Sequence, residues 1–155
     1  MRRILVVDDD PHICRAIRTW LRQHGFRVHV ADGGISGLAA LEHSTFDLMI
    51  VDVFMPDCKS IGIFHQRAPG VPLIAISGSA FPDLDPSAPD LLKIADRLGA
   101  TRCLRKPFKP STLLDVIDEC LSEAEPHRRH VATLGAIANA LSKSADETMG
   151  DACRG

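Results

Sequence analysis

Arg3-Ile4-Leu5-Val6-Val7-Asp8-Asp9-Asp10-Pro11 is an apolar run closed by three carboxylates and a proline. A continuous run of branched apolar residues suits a strand covered on both faces, the usual condition of a parallel sheet. Asp10 and Pro11 then fit the N-cap and first position of a helix. Ile13, Ile17, Trp20 and Leu21 follow at spacings that share one helical face, and Gly25 supplies a stop. The same punctuation recurs along the chain: Leu48-Met49-Ile50-Val51 ends at Asp52, Leu73-Ile74-Ala75-Ile76 at Ser77, and Cys103-Leu104-Arg105 at Lys106. The pattern predicts strands over 3–8, 27–31, 47–52, 72–76 and 102–105, with later helices over 34–43, 59–66, 87–98 and 110–123. Five such repeats make an α/β, doubly wound five-stranded parallel sheet of order 2-1-3-4-5.

Ligands of open parallel sheets sit beyond the carboxyl ends of the strands, so Asp8, Asp9, Asp52, Ser77 and Lys106 are expected to converge. Two carboxylates about 4 Å apart repel by roughly 4 kcal/mol at an effective dielectric near 20, so three invite a divalent cation. All-oxygen ligation with open positions suits Mg²⁺. A lysine ammonium and a serine hydroxyl match phosphoryl oxygens, and a carboxylate beside the metal can act as nucleophile.

The runs Ile4-Leu5-Val6-Val7-Asp8-Asp9, Val51-Asp52-Val53-Phe54-Met55-Pro56, Ile76-Ser77-Gly78 and Leu104-Arg105-Lys106-Pro107-Phe108 resemble the receiver domain of two-component response regulators. The resemblance covers roughly residues 2 to 123, in order and at near-family spacing. It implies the flavodoxin-like receiver fold and a cis peptide before Pro107. It also implies that Asp52 accepts a phosphoryl group from a histidine kinase or histidine phosphotransfer protein. Asp9 would bind Mg²⁺ directly, Asp8 would orient it, and the Phe54 carbonyl would complete the protein ligands. Lys106 would pair with the developing phosphoryl charge, and Ser77 would turn to hydrogen-bond the phosphoryl group.

Two positions depart from that pattern. Cys103 stands where receivers commonly carry an aromatic switch, which predicts a weakened or rerouted coupling to the hydroxyl. Apolar Phe54, two residues past Asp52, predicts a long-lived phosphoryl group. After Pro56, Asp57-Cys58-Lys59-Ser60 lacks the glycine that usually opens the third helix. Two other readings stay open: a pseudo-receiver that binds its partner without phosphorylation, and a small Mg²⁺-dependent phosphohydrolase. The second lacks a catalytic carboxylate at Phe54.

The 155 residues, 45% hydrophobic, suffice for one ordinary core. A formal charge of -2 argues against a nucleic-acid partner, and no apolar run approaches a membrane span. Five cysteines without a C-x-x-C pair read as reduced cytosolic thiols and, with no leader at the N-terminus, predict a cytoplasmic protein. Asp32-Gly33-Gly34-Ile35-Ser36-Gly37 lacks the dinucleotide-loop order and reads as a helix start, and no Walker A sequence is present. His127-Arg128-Arg129-His130 reads as a solvated helix start.

Residues 78–90, with three prolines, read as a semi-rigid loop beside the expected signalling face. The receiver is expected over 1–123 and a tail over 124–155. Val131, Leu134, Ala138, Leu141 and Ala145 describe a short amphipathic helix over about 128–146, followed by disorder. That tail, or the face of the fourth and fifth helices, is the expected route to a homodimer. The output is expected to be contact with an effector protein and not a DNA-binding domain.

Overall fold

The computed structural model describes residues 1–55, 60–78 and 91–151. Five strands, β1 (Arg3–Val7), β2 (Arg27–Ala31), β3 (Leu48–Asp52), β4 (Leu73–Ser77) and β5 (Arg102–Arg105), alternate with α1 (Pro11–Gln23), α2 (Gly34–His43), α3 (Ser60–Arg67), α4 (Leu91–Arg97) and α5 (Pro110–Asp151). All pairings are parallel and the order is β2-β1-β3-β4-β5, as the strand and helix pattern predicts.

Every residue of β3 and β4 is buried, and alternate side chains feed two separate apolar layers. On one face Leu5, Val7, Met49, Val51, Leu73 and Ala75 pack with Ile61 and Phe64 of α3 and Ala95 of α4. On the other, Ile4, Val6, Leu48, Ile50, Ile74 and Ile76 meet Ile17 and Leu21 of α1 and Leu113, Ile117 and Cys120 of α5. Such two-sided burial explains the unbroken apolar runs.

Local signals place the helix ends. The Asp10 carboxylate accepts from the His12 N–H at 2.9 Å, capping α1, and Pro11 takes the first helical position. Gly25 closes the helix at φ 85°, a conformation that favours glycine. The glycine-rich segment before α2 is a helix start: Ser36 Oγ donates to Asp32 at 2.6 Å and accepts from the Gly33 N–H at 3.2 Å. Gly37 serves packing, since a Cβ there would lie 2.7 Å from Phe64 Cζ and 2.9 Å from Val7 Cγ2.

Residues 56–59 and 79–90, which include the segment leading into the third helix and most of the proline-rich loop, lie outside the described residues, as do residues 152–155 with Cys153. The fifth helix does not stop at 123 as the sequence predicts but continues through Pro126 to Asp151, where disorder was expected over 147–155. Proline's φ is compatible with a helix; its cost is the missing N–H, which deprives the Ser122 carbonyl of its donor. The chain divides into two compact units, Met1–Leu121 and Ser122–Gly155. In the second, Leu134, Ile137 and Leu141 are exposed. Among the described residues, no helix is long and apolar enough to cross a membrane.

Candidate phosphoryl-transfer site

The carboxyl ends of β1, β3, β4 and β5 deliver the five expected residues to one end of the sheet. Asp8 follows β1 and is 1% exposed, while Asp52 ends β3 at 4%. Asp9, next to Asp8, faces solvent. One carboxylate oxygen from each of Asp8, Asp9 and Asp52 lies within 4.8 Å of the others. Lys106, just beyond β5, donates from Nζ to Asp8 Oδ2 at 2.9 Å and to Asp52 Oδ2 at 3.2 Å. Its backbone is fixed as well, because the Lys106 N–H donates to the Ser77 carbonyl at 2.7 Å and the following peptide to Pro107 is cis.

Both oxygens of Asp8 are engaged. Oδ2 holds Lys106, and Oδ1 accepts the Asp10 N–H at 2.9 Å, so the turn that caps α1 also orients this carboxylate. Asp52 Oδ1 accepts the Phe54 N–H at 2.9 Å, folding the backbone after β3 back over the carboxylate. The Phe54 ring remains 43% exposed beside it. Ser77 is buried at the end of β4, and its hydroxyl donates to the Gly78 carbonyl at 3.1 Å.

Burial pushes the Asp8 carboxyl above its ordinary value, and the charge of Asp52 adds to the effect against the bonds from Asp10 and Lys106. Burial opposes the charge on Lys106, but its hydrogen bonds and charge attraction to Asp8 and Asp52 outweigh that and raise its pKa. One ammonium among three carboxylates leaves an excess charge near -2, which a divalent cation bound through oxygens would neutralise.

A feature the sequence reading missed is Cys14. Its buried thiol donates to the Asp8 carbonyl at 3.2 Å, and burial together with Asp8 and Asp10 pushes it up to about 11, so it stays protonated and ties α1 to the strand end. The spacing of six residues from Asp8 is its signal, visible only once a helix is known to turn back over β1. Cys103 lies half-buried on β5, paired with Ala75 and packed against the core on the α2, α3 and α4 face.

Residues 4–118 match the response regulator receiver domain. The chain belongs to that family. This receiver resembles the transcriptional regulatory protein GltR of Pseudomonas aeruginosa, 35% identical over 80% of the chain and 50% of GltR. It also resembles GlrR of Escherichia coli K12, 29% identical over 79% of the chain and 27% of GlrR. The chain thus spans about a quarter to a half of the length of these relatives. Among solved structures, a CheY-like receiver domain from Methanospirillum hungatei is 30% identical with a TM-score of 0.73, covering 82% of this chain and 98% of that one. CheY4 of Vibrio cholerae is 28% identical with a TM-score of 0.64, covering 78% and 99%. The chain is a receiver domain of two-component signal transduction. Phosphoaspartate chemistry and Mg²⁺ are general to its family.

Proposed function

We propose that Asp52 is the phosphoacceptor of this receiver, charged by a phosphohistidine on a histidine kinase or histidine phosphotransfer protein, and that the output is contact with an effector protein. The observation that carries the reading is the double hydrogen bond of Lys106 to Asp8 and Asp52, an ammonium held against both carboxylates. In the transfer, a carboxylate oxygen of Asp52 forms a bond to phosphorus as the phosphorus–nitrogen bond of the donor imidazole breaks. The electron pair returns to the imidazole nitrogen. Lys106 exchanges part of its bonding from Asp52 to the equatorial phosphoryl oxygens, while Asp8, held by the Asp10 N–H, keeps the ammonium in place. Ser77 turns from the Gly78 carbonyl to donate to a phosphoryl oxygen, and that rotation reports the modification. Catalysis is positioning and charge neutralisation.

Asp9 and Asp52 would hold Mg²⁺ with the Phe54 carbonyl, and Asp8 would orient it. When bound, the ion neutralises the phosphoryl oxygens drawn toward the carboxylates. The exposed, apolar Phe54 offers no group to activate water, which disfavours a phosphohydrolase.

The test is the intact mass of the protein after incubation with acetyl phosphate and Mg²⁺. A single phosphoryl adduct, dependent on Mg²⁺ and absent from Asp52→Asn, is expected. Folded wild-type protein that gains no adduct would turn the reading to a phosphorylation-independent binding module.

A further inference from the structure

Residues 1–31 carry six arginines against three aspartates, and all three aspartates stand together at 8–10, at the carboxyl end of β1. The cationic excess therefore collects toward the other end of the sheet. There β1, β2, the last turn of α1 and the segment before β3 border a cavity of about 600 Å³ whose walls include Arg3, Arg22, Phe26, Arg27, His29 and Phe46. Its size falls within the roughly 300–1,000 Å³ of small-molecule sites. Among the described residues no carboxylate lines it.

The fold assembles these cations against their mutual repulsion. Arg3 and Arg27 are register partners on neighbouring parallel strands, so their side chains leave the same face from backbones about 4.8 Å apart, and like charges so placed repel. Asp47, next to Phe46, is engaged by the Arg3 N–H at 2.7 Å and by the Arg2 guanidinium at 3.9 Å. The Arg3 guanidinium lies 5.3 Å from the centre of the Phe46 ring, which orients it without neutralising it. Arg22 arrives from the last turn of α1, where a cation complements the helix dipole. That accounts for one of the three arginines and not for the Arg3 and Arg27 pair. None of the three guanidinium groups makes an ion pair among the described residues, so a bound anion would supply the charge that the chain does not.

The donor set indicates the anion. Guanidinium forks match phosphate oxygens two at a time, and three forks with an exposed imidazole call for more than one charge. A lone phosphate would leave much of the cavity unfilled, whereas half-buried Phe26 and Val28, which pack with the layer beneath α1, offer an apolar wall to an organic body. We infer that this cavity binds an organic polyphosphate of the nucleoside di- or triphosphate class, its phosphates on Arg3, Arg22 and Arg27 and its body against Phe26 and Val28. The site is separate from the phosphoacceptor, because Arg3 opens β1 and Asp8 follows its end, about 16 Å away at 3.3 Å per residue.

The experiment is calorimetric titration of the full chain with ATP, GTP and inorganic tripolyphosphate at physiological salt. EDTA is present so that no divalent ion bridges a phosphate to Asp8, Asp9 and Asp52. Expected is saturable binding of ATP or GTP at a single site, weakened about tenfold or more in Arg22→Gln/Arg27→Gln. Arg67→Gln/Arg97→Gln, which removes the same charge from exposed arginines elsewhere, should leave the affinity unchanged. Amide NMR shifts of the wild type read the site without any variant: the nucleotide should move Arg3, Arg22, Arg27 and His29 and leave Asp52 and Ser77 in place. Absence of saturable nucleotide binding, equal weakening by the two variants, or shifts centred on Asp52 would overturn the inference. Tripolyphosphate held as tightly as ATP would overturn the organic ligand, and a labelled random-sequence DNA duplex held through Arg22 and Arg27 in preference to both nucleotides would overturn the site in favour of nucleic acid.

Discussion

Replacing Lys106 by Met removes the ammonium bonded to both Asp8 and Asp52 while keeping most of the side chain's length. The Asp8 side chain is fully buried, that of Asp52 is 6% exposed and that of Lys106 18%, so the charges lie largely out of water. Breaking a buried pair by removing one partner costs about 3–5 kcal/mol, because the other charge is left uncompensated. The open side of the site at Asp9 lets water screen part of this, and the loss expected is roughly 2–3 kcal/mol without divalent metal. Urea denaturation at pH 7 of wild type, Asp8→Asn, Lys106→Met and the double variant closes a cycle, with a coupling of about 1–3 kcal/mol expected between the two positions. The pH dependence has a definite sign. The folded pKa of Lys106 is raised, so its contribution is present at neutral pH and is lost as pH rises through that value; Lys106→Met should lack this alkaline loss. In acid, protonation of the crowded carboxylates should narrow the gap between variant and wild type. A coupling below about 0.5 kcal/mol would refute the view that Lys106 holds these carboxylates together.

Phe54→Asn should shorten the phosphoryl lifetime on Asp52, because an amide there can position water; one net hydrogen bond of about 0.5–1.5 kcal/mol corresponds to roughly 2- to 12-fold in rate, and radiolabel decay no faster than wild type would oppose it. Gly37→Ala should destabilise the fold by about 1–3 kcal/mol, since its Cβ would press on Phe64 and Val7, whereas Gly33→Ala, facing open space, should stay within about 0.5 kcal/mol by thermal melting. Equal melting temperatures for the two would contradict that packing. Because burial raises the Asp8 pKa, protons should compete with Mg²⁺ from above the ordinary carboxylate range, so calorimetric affinity should fall as pH is lowered toward that range; an affinity that stays flat down into the ordinary carboxylate range would count against Asp8 as a participant.

The strands were legible in the sequence because the central ones, β1, β3 and β4, bury both faces and so read as apolar runs, and a parallel sheet of such repeats gathers the polar residues that end them, Asp8, Asp52, Ser77 and Lys106, at one end. The cap by Asp10 and the stop at Gly25 were legible for the same local reason. What the tertiary structure alone decided depends on groups brought together across long stretches of chain. Lys106 meets Asp8 from 98 residues away. Gly37 is required by Phe64 of another helix. Arg15 and Arg18 come to line one cleft with Asp8, Asp9 and Asp32. The length of α5 also escaped the sequence reading, since a proline signals a lost hydrogen bond but does not fix whether the helix on either side continues. Periodicity and caps act over a few residues and can be read along the chain, whereas partner, register of contact and burial of a charge exist only when the chain is folded.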